Sequence, residues 1–330
     1  MIPDAEGVAP QRAQRPARLL AVLTALGLLA ALTASTSGAA TPTVTGVSVP
    51  SCFGAAARDP LAPCVNPALN FTAIPRPSDA ALEPGAPCTP NRRSSPPVCH
   101  FGVPRQNATA TVALMGDSHS THWRAALAVV AATRRWHGVS IDRSTCPFTF
   151  ARTPGRGRCA GWSGSVVRWL QAHPEVHSVF VSANSGSGVV PLPGMTRRTT
   201  KMNGYIRAWK ALPRSVQDIF VIRDVPHSRN DTRECVTRAV ARHRNPAQRC
   251  ARPRAGAMRT DWQAVATGQA ESERVKLIDL TRLMCDDDRC FPVVGGALVI
   301  KDIGHLTRTF STTLGPFLGR AIARLQTPSS

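Results

Sequence analysis

The sequence predicts an α/β fold built around a parallel central sheet. Short apolar segments alternate with segments of helical periodicity between residues 111 and 325, which is the pattern of repeated strand–helix units. In the first unit, residues 111–123, an apolar strand is joined to a helix through the turn Gly116-Asp117-Ser118-His119. Polar residues at such a turn lie at the carboxyl end of a strand, where open α/β sheets bind ligands.

The other elements follow from the same two periodicities. Segment 161–173, for example, has Val166, Val167, Trp169 and Leu170 at helical spacing, whereas segment 177–183 is rich in β-branched residues. The predicted strands are 112–115, 138–141, 177–183, 218–223 and 275–280. The predicted helices are 124–133, 161–173, 202–212, 259–272 and 309–325.

The N-terminal segment 1–40 predicts export. Basic residues Arg12, Arg15 and Arg18 precede an apolar run at 19–34, which is close to the ~20 residues of a membrane-spanning helix and also to a long signal-peptide core. Both interpretations stay open, and a buried soluble helix is the third. The basic residues favour a cytoplasmic N-terminus, so the chain from about Thr41 onward is expected outside the cytoplasm.

The remaining chain divides into two predicted parts. Residues 41–110 are rich in Pro, Ala and Ser and contain four cysteines, which predicts an extended, disulfide-tied lead-in; a free linker is the alternative. Residues 111–330 form the predicted α/β domain, which is called the catalytic domain below because it contains the motifs described next.

Cysteine content agrees with an oxidising compartment. The ten cysteines fall into five sequence-adjacent pairs, which we expect to form disulfides worth roughly 2–3 kcal/mol each, although sequence alone does not determine connectivity. A zinc site is the alternative, but only Cys285 and Cys290 are closely spaced and no Cys-x-x-Cys occurs, so no metal is expected. The pairs are Cys52/Cys64, Cys88/Cys99, Cys146/Cys159, Cys235/Cys250 and Cys285/Cys290.

Two motifs provide the elements of nucleophilic catalysis. Ser118 stands at the predicted strand–helix turn, and Asp302-Ile303-Gly304-His305 comes late in the chain. A nucleophilic serine requires a base, and the base requires a group that orients it and stabilises its charge. His305 and Asp302 could supply both from one loop. The alternative is that Asp117 or Ser118 only caps the helix.

The pairing of Gly-Asp-Ser-His with a late Asp-x-x-His-Leu-Thr resembles the SGNH hydrolase superfamily. It is most similar to the extracytoplasmic SGNH domain fused to membrane acyltransferase-three proteins, which O-acylate cell-surface polysaccharides. The resemblance spans about residues 50–325. It includes Cys-Phe-Gly-Ala-Ala at 52–56, Ser144-Thr145-Cys146-Pro147, Asp224-Val225-Pro226, Cys235, and Cys285…Cys290.

The resemblance implies a flavodoxin-like three-layer sandwich and a role for each motif residue. Ser118 becomes the nucleophile, His305 the base and Asp302 its orienting partner. For the oxyanion hole, the superfamily uses the nucleophile's N–H, a glycine and an asparagine, and the candidates are Gly161 and Asn184. The superfamily's Gly-x-Asn-Asp pattern is absent around Asn184, and Gly138 competes with Gly161.

Other polar residues near the motifs carry weaker expectations. His119 and His122 flank the nucleophile and are expected to pack around it rather than to touch substrate. Asp224 is expected at a strand end, where it shapes the cleft.

The predicted function is an extracytoplasmic serine O-acyltransferase or esterase, acting through acyl-Ser118 on a cell-envelope glycan and needing no cofactor. A membrane acyltransferase domain like that of the fused relatives is not expected in this chain, which leaves open either hydrolysis or delivery of the acyl group by a separate membrane acyltransferase. The alternative is a non-catalytic glycan-binding module on the same fold. The net charge of +20 raises a third class, nucleic-acid binding, which predicted export and a 5% aromatic content disfavour. An arginine-rich surface facing anionic lipid or wall polymer, or genomic base composition, accounts for the charge equally well.

Overall fold

A computed structural model describes residues 43–44, 47–155, 159 and 161–327. The predicted N-terminal hydrophobic helix and its cytoplasmic stub lie outside these residues. The chain divides into two compact units between Ser48 and Val49. In the first unit, β1 (Thr43–Val44) pairs antiparallel with β2 (Val47–Ser48). Within the described ranges, no helix is both long enough and apolar enough to cross a membrane.

The second unit contains the central sheet. Its strands are β3 (Thr89–Asn91), β4 (Val98–Gly102), β5 (Ala110–Gly116), β6 (Trp136–Asp142), β7 (Val176–Ser182), β8 (Asp218–Ile222), β9 (Arg252–Pro253), β10 (Val275–Ile278), β11 (Arg289–Cys290), β12 (Val293–Val294) and β13 (Ala297–Leu298). Seven of them form one sheet in the order β10-β8-β7-β5-β6-β4-β3. The strands β10, β8, β7, β5 and β6 run parallel to one another. At one edge, β4 pairs antiparallel with β6, and β3 pairs antiparallel with β4. When the five parallel strands are numbered in chain order, they lie across the sheet in the order 2-1-3-4-5, starting from β6. This is the flavodoxin-like arrangement.

Helices cover both faces of this sheet. They are α1 (Ser118–Thr121), α2 (Arg124–Arg134), α3 (Trp162–Gln171), α4 (Arg197–Lys210), α5 (Thr232–Ala241), α6 (Pro246–Arg249), α7 (Arg254–Ala257), α8 (Trp262–Thr267), α9 (Arg308–Thr313) and α10 (Gly315–Gln326). Buried residues of α2, α9 and α10 form one apolar layer, and those of α3, α4 and α8 form the other. The predicted α/β class with a parallel sheet is confirmed, as a three-layer arrangement.

Strand β5 shows why the sheet is central. Val112 and Leu114 point into the layer of α2 and α10, whereas Ala113 and Met115 point into the layer of α3 and α4. All four side chains are buried, as expected for a parallel strand covered on both faces.

The helix boundaries differ from the prediction by more than two residues in three places. Helix α4 begins at Arg197, five residues before the predicted start at 202. The predicted helix 259–272 is reduced to α8, because the carboxylate of Asp261 caps its first N–H groups and the helix ends before Gly268. The predicted helix 309–325 is divided at Leu314, where Gly315-Pro316 begins α10. Proline cannot donate to the preceding turn, so a new helix starts there. Helix α5 was not predicted.

The predicted lead-in contributes directly to the sheet. Strands β3 and β4 lie within residues 41–110 and pair with each other, and β4 pairs with β6. Phe101 of β4 packs on Gly138, where an added Cβ would stand 2.3 Å from the ring. Residues 49–110 therefore belong to the same compact unit as the predicted catalytic domain.

The predicted cysteine pairing is confirmed. All five sequence-adjacent pairs form disulfides, each closing a loop of 5–15 residues. Cys285 and Cys290, the pair considered for a metal, are joined to each other. Five disulfides point to an oxidising, extracytoplasmic compartment.

Candidate active site

Ser118 occupies the switch point of the sheet, where the chain order reverses between β5 and β7. Strand β5 ends at Gly116, and Ser118 is the first residue of α1. Gly116 has a φ of +147°, and a Cβ there would lie 2.2 Å from the carbonyl oxygen of Ser182. Only glycine lets β5 pass this close to the end of β7.

Asp117 links the turn after β5 to the turn after β7. Its buried carboxylate accepts the N–H of His119 at 2.8 Å and the N–H of Asn184 at 3.0 Å. Burial raises the pKa of Asp117, although these hydrogen bonds and the neighbouring His119 act in the opposite direction. The turn after β5 and the turn after β7 are thus joined through one side chain.

Ser118, His305 and Asp302 form a continuous hydrogen-bonded chain. The hydroxyl of Ser118 lies 2.8 Å from Nε2 of His305, and Nδ1 of His305 lies 2.8 Å from Oδ2 of Asp302. Chain positions 118 and 305 are thereby brought into direct contact. A hydroxyl on one ring nitrogen and a carboxylate on the other is the arrangement that activates a serine nucleophile.

The base loop, Asp302-Ile303-Gly304-His305, is held by its own carboxylate. Oδ1 of Asp302 accepts the N–H groups of Gly304 at 2.9 Å and His305 at 2.8 Å. Partial burial favours a raised pKa for Asp302, but the hydrogen bonds from the His305 ring and from both backbone N–H groups outweigh it, and the pKa is lowered. Asp302 therefore stays ionised and keeps His305 oriented.

A cleft of about 400 Å³ opens beside the serine. One wall is the segment Glu83-Pro84-Gly85-Ala86 from the predicted lead-in. This wall is anchored because Arg124 donates to the carbonyl of Ala86 at 3.0 and 3.2 Å, and Glu83 accepts the N–H of Thr309 at 2.9 Å. The lining of the cleft also includes Asp142, Ser144, Lys301 and Arg308.

Of the two oxyanion candidates, Asn184 lies at the site and Gly161 does not. Asn184 follows β7, and its Oδ1 accepts the N–H of Gly186 at 2.8 Å, an arrangement that orients the amide. Gly161 has a φ of +80° at the start of α3 and lines a different cavity, with Pro147 and Phe150. Its position serves the turn into α3 rather than the Ser118 cleft. The competing Gly138 lies within β6 against Phe101.

Sequence reasoning missed the residue after β6 that lines the cleft. Ser144, two residues beyond the end of β6, borders the same space as Ser118 and His305. The motif Ser144-Thr145-Cys146-Pro147 was a signal for this loop, but the motif alone does not show which of its residues faces the serine.

His119 and His122 lie against the triad. The His119 ring centroid is 4.7 Å from that of His305, and the His122 centroid is 6.1 Å away. Nδ1 of His122 accepts the N–H of Leu306 at 3.4 Å. Burial lowers the pKa of His122 well below the usual value, and the neighbouring His119 and His305 act in the same direction. His122 is therefore a neutral packing partner of the base loop.

A strand-end serine bonded to a histidine–aspartate pair on a flavodoxin-like sheet defines the serine hydrolase and acyltransferase class of sites. The chain belongs to the family described as SGNH domain (fused to AT3 domains), whose model matches residues 87–320. That match covers the sheet, the serine turn and the base loop, and it supports an acyltransferase- or esterase-type activity.

One solved structure similar to this chain is the periplasmic domain of a lipopolysaccharide acetyltransferase from Salmonella ser. Paratyphi A. The two share 13% sequence identity with a TM-score of 0.49, over 68% of this chain and 90% of that domain. No curated protein sequence matches the chain significantly.

Proposed function

We propose that this protein is an extracytoplasmic serine O-acyltransferase or esterase that acts on a cell-envelope glycan through an acyl-Ser118 intermediate. The observation that carries the proposal is the unbroken chain from Ser118 through His305 to Asp302, with both links at 2.8 Å. Membership in the SGNH family fused to AT3 domains supports the same chemistry.

The first half-reaction forms the acyl-enzyme. Oγ of Ser118 attacks the acyl carbon while Nε2 of His305 takes the hydroxyl proton. Asp302 holds Nδ1–H and stabilises the imidazolium. When the tetrahedral intermediate collapses, the bond between the acyl carbon and the leaving oxygen breaks, and His305 returns the proton to that oxygen.

The second half-reaction releases the acyl group. A sugar hydroxyl or a water molecule attacks the acyl carbon, His305 removes the attacking proton, and the bond to Oγ of Ser118 breaks with return of a proton to Oγ. The same three residues perform transfer and hydrolysis, so the acceptor bound in the cleft decides between them. The choice of acetyl as the acyl group follows from the family resemblance.

Three donors are proposed for the oxyanion. The N–H of Ser118 belongs to the first turn of α1, where N–H groups lack an intrahelical acceptor. The amide of Asn184 stands beside this turn, because its backbone N–H is bound by Asp117. Ser144, which lines the cleft, takes the place that the sequence prediction gave to Gly161. Donors aimed at the developing negative charge are usually the largest single contribution in such enzymes.

The proposed setting is the cell envelope. The five disulfides support an oxidising compartment, and the N-terminal apolar run 19–34 is the proposed anchor or signal. A separate membrane acyltransferase is the proposed acyl donor, because the family is described as fused to AT3 domains. Neither a nucleic acid nor a cofactor has a part in the proposal.

The test is hydrolysis of p-nitrophenyl acetate by the full chain, purified in mild detergent with its disulfides intact, alone and with a chito-oligosaccharide acceptor. Ser118→Ala and His305→Ala are run in parallel. Nitrophenol release that is lost in both variants supports the serine enzyme; acetylated sugar in the product marks a transferase, and free acetate alone marks an esterase. Equal inertness of wild type and variants with a range of acyl donors would favour the non-catalytic binding module.

A further inference from the structure

A second carboxylate, Asp224, lies under the site and takes no part in the proposed proton transfers. It follows β8 and is 2% exposed. Its Oδ1 lies 2.6 Å from Nδ1 of His119 and also accepts the N–H of Val225, at 2.9 Å. Its Oδ2 accepts the N–H of Ser185 at 2.7 Å. One side chain thus joins the turns that follow β5, β7 and β8.

His119 carries this connection to the base loop. It follows Ser118 directly, is 1% exposed, and has its ring centroid 4.7 Å from that of His305. A Cβ added to Gly304 would stand 3.1 Å from Cε1 of His119 and 3.2 Å from Cε1 of His227. The base loop therefore rests directly on two imidazole rings.

The chain after β8 holds the same loop from a second point. The hydroxyl of Ser228 donates to the carbonyl of Asp302 at 2.6 Å, and its N–H donates to the carbonyl of Ile303 at 2.8 Å. The preceding His227 has Nε2 3.4 Å from Oδ2 of Asp224. A displacement of Asp224 would therefore shift the turn after β5 that carries Ser118, the turn after β7 that carries Asn184, and the base loop.

The charges favour an ion pair at this position. Burial would raise the pKa of Asp224, but the hydrogen bonds from His119, His227 and Ser185 outweigh it, and the pKa is lowered. Burial would lower the pKa of His119, but the hydrogen bond and charge of Asp224 raise it, with help from the other nearby carboxylates. The titratable groups around His119 are Asp117 and His122 near the start of α1, Asp224 and His227 after β8, and Asp302 and His305 of the base loop.

We propose that Asp224 and His119 form a buried ionic positioning pair: Asp224 holds the three catalytic segments in register, and the His119 ring supports the base loop. This inference rests on the proposed function of Ser118 and His305.

The decisive variant is His119→Asn in the full chain. An asparagine amide nitrogen can replace the Nδ1–H donor to Asp224 without carrying a charge. We expect kcat for p-nitrophenyl acetate to fall about tenfold while KM changes less than about twofold, since the reacting groups are misplaced but the cleft is not.

Asp224→Asn provides the second variant and Glu175→Gln the matched control. Both carboxylate oxygens of Asp224 accept hydrogen bonds, so the NH₂ group introduced by Asp224→Asn would face an N–H donor and lose that hydrogen bond. We therefore expect kcat to fall further than in His119→Asn. Glu175 pairs with His173 at 3.0 Å just before β7 begins, at the opposite end of the parallel strands from Ser118. Its substitution removes a partly exposed histidine–carboxylate pair, together with the contact of Glu175 to Arg105 at 2.9 Å, and is expected to leave kcat unchanged.

A kcat in His119→Asn within about twofold of the wild-type value would overturn the proposal. Histidine-selective ¹⁵N NMR of the wild-type chain gives a reading that does not need turnover. We expect His119 to remain charged at pH 7.5, where an ordinary histidine with a pKa of about 6.5 is neutral; a neutral His119 would contradict the pair even if Asp224→Asn fails to fold. If the wild type hydrolyses no ester, the proposed function fails, and the NMR result still decides whether the ion pair exists.

Discussion

Two aspartate–histidine pairs lie side by side in this site, and they differ mainly in exposure. The side chains of Asp302 and His305 are 46% and 30% exposed, whereas those of Asp224 and His119 are 2% and 1% exposed. Both carboxylates have lowered pKa values for the same reason: hydrogen bonds to the charged form outweigh burial. The exposed pair borders the cleft and can exchange a proton with substrate, whereas the buried pair has no such access and can only hold its neighbours.

The comparison shows how one chemical motif serves two purposes. A proton-transferring pair must reach the reacting atoms, so it lies on a loop at the cleft wall. A positioning pair gains most from burial, because removing one partner leaves an uncompensated charge in a low-dielectric environment, which typically costs about 3–5 kcal/mol. Substitutions in the two pairs should therefore separate activity from stability.

The largest expected effect is on activity at the exposed pair. Asp302→Asn should lower kcat about 10²- to 10⁴-fold, because the amide no longer stabilises the imidazolium or fixes its tautomer. The urea midpoint should change little, because Asp302 is nearly half exposed. Parallel kinetics and urea unfolding test both statements. If Asp302→Asn lowered the urea midpoint and kept the wild-type kcat per folded molecule, the roles given to the two pairs would be reversed.

The next effect concerns the oxyanion. Asn184→Ala should reduce kcat about 10²- to 10³-fold with KM nearly unchanged, because in the proposed mechanism this amide binds charge that develops in the transition state. The double variant Asp302→Asn/Asn184→Ala indicates whether the two act on the same step. Activity within about twofold of wild type in Asn184→Ala would remove this residue from the oxyanion hole.

A smaller effect is the pH dependence of stability at the buried pair. The pKa of Asp224 is lowered by folding, so its contribution is present above about pH 3.9 and is lost as the pH falls through the native value. The pKa of His119 is raised by folding, so its contribution is complete below about pH 6.5 and is lost as the pH rises through the native value. The difference in the free energy of unfolding between the wild type and His119→Asn should therefore be largest between about pH 4 and 6.5. Denaturant unfolding across about pH 3–9 measures it, and a difference that grows above about pH 8 would contradict the assigned charges.

The smallest expected effect is at the cleft wall. Glu83→Gln weakens the acceptor for the first N–H groups of α9 and should cost roughly 0.3–1 kcal/mol in stability, as charges at helix N-termini usually do. Glu83 holds the cleft wall and does not contact Ser118, His305 or Asp302 through a hydrogen bond. The kcat for a small ester should therefore stay within about twofold of the wild-type value. Differential scanning calorimetry and nitrophenol release measure the two quantities; a loss of activity larger than that of Asn184→Ala would give Glu83 a direct role.

The central strands and the catalytic motifs were predictable because their signals are local. The apolar run before Gly116 specifies β5, and Asp302 and His305 share one short loop. The edge strands were not predictable in the same way. Strand β4 is a Pro-flanked segment that becomes a strand only when it pairs with β6 and is tied by the Cys88–Cys99 disulfide.

The positions of Gly161 and Asp224 depended on long-range folding. Gly161 lies at the start of α3 and lines a different cavity, whereas Ser144 lines the Ser118 cleft. Asp224 meets His119 across 105 residues of sequence, and no local pattern in either segment announces the contact. The sequence indicated the candidate reacting residues and placed His119 beside Ser118, whereas the contact between His119 and Asp224 emerged only from the fold.

The most direct test of the account is the location of the acyl group on the enzyme. The full chain is mixed briefly with p-nitrophenyl acetate, quenched in acid and analysed by peptide mass spectrometry. The account predicts one acetyl group on Ser118 in the wild type, none in Ser118→Ala and strongly reduced labelling in His305→Ala. Acetylation elsewhere, or equal labelling of Ser118 with and without His305, would contradict a nucleophile activated by this histidine.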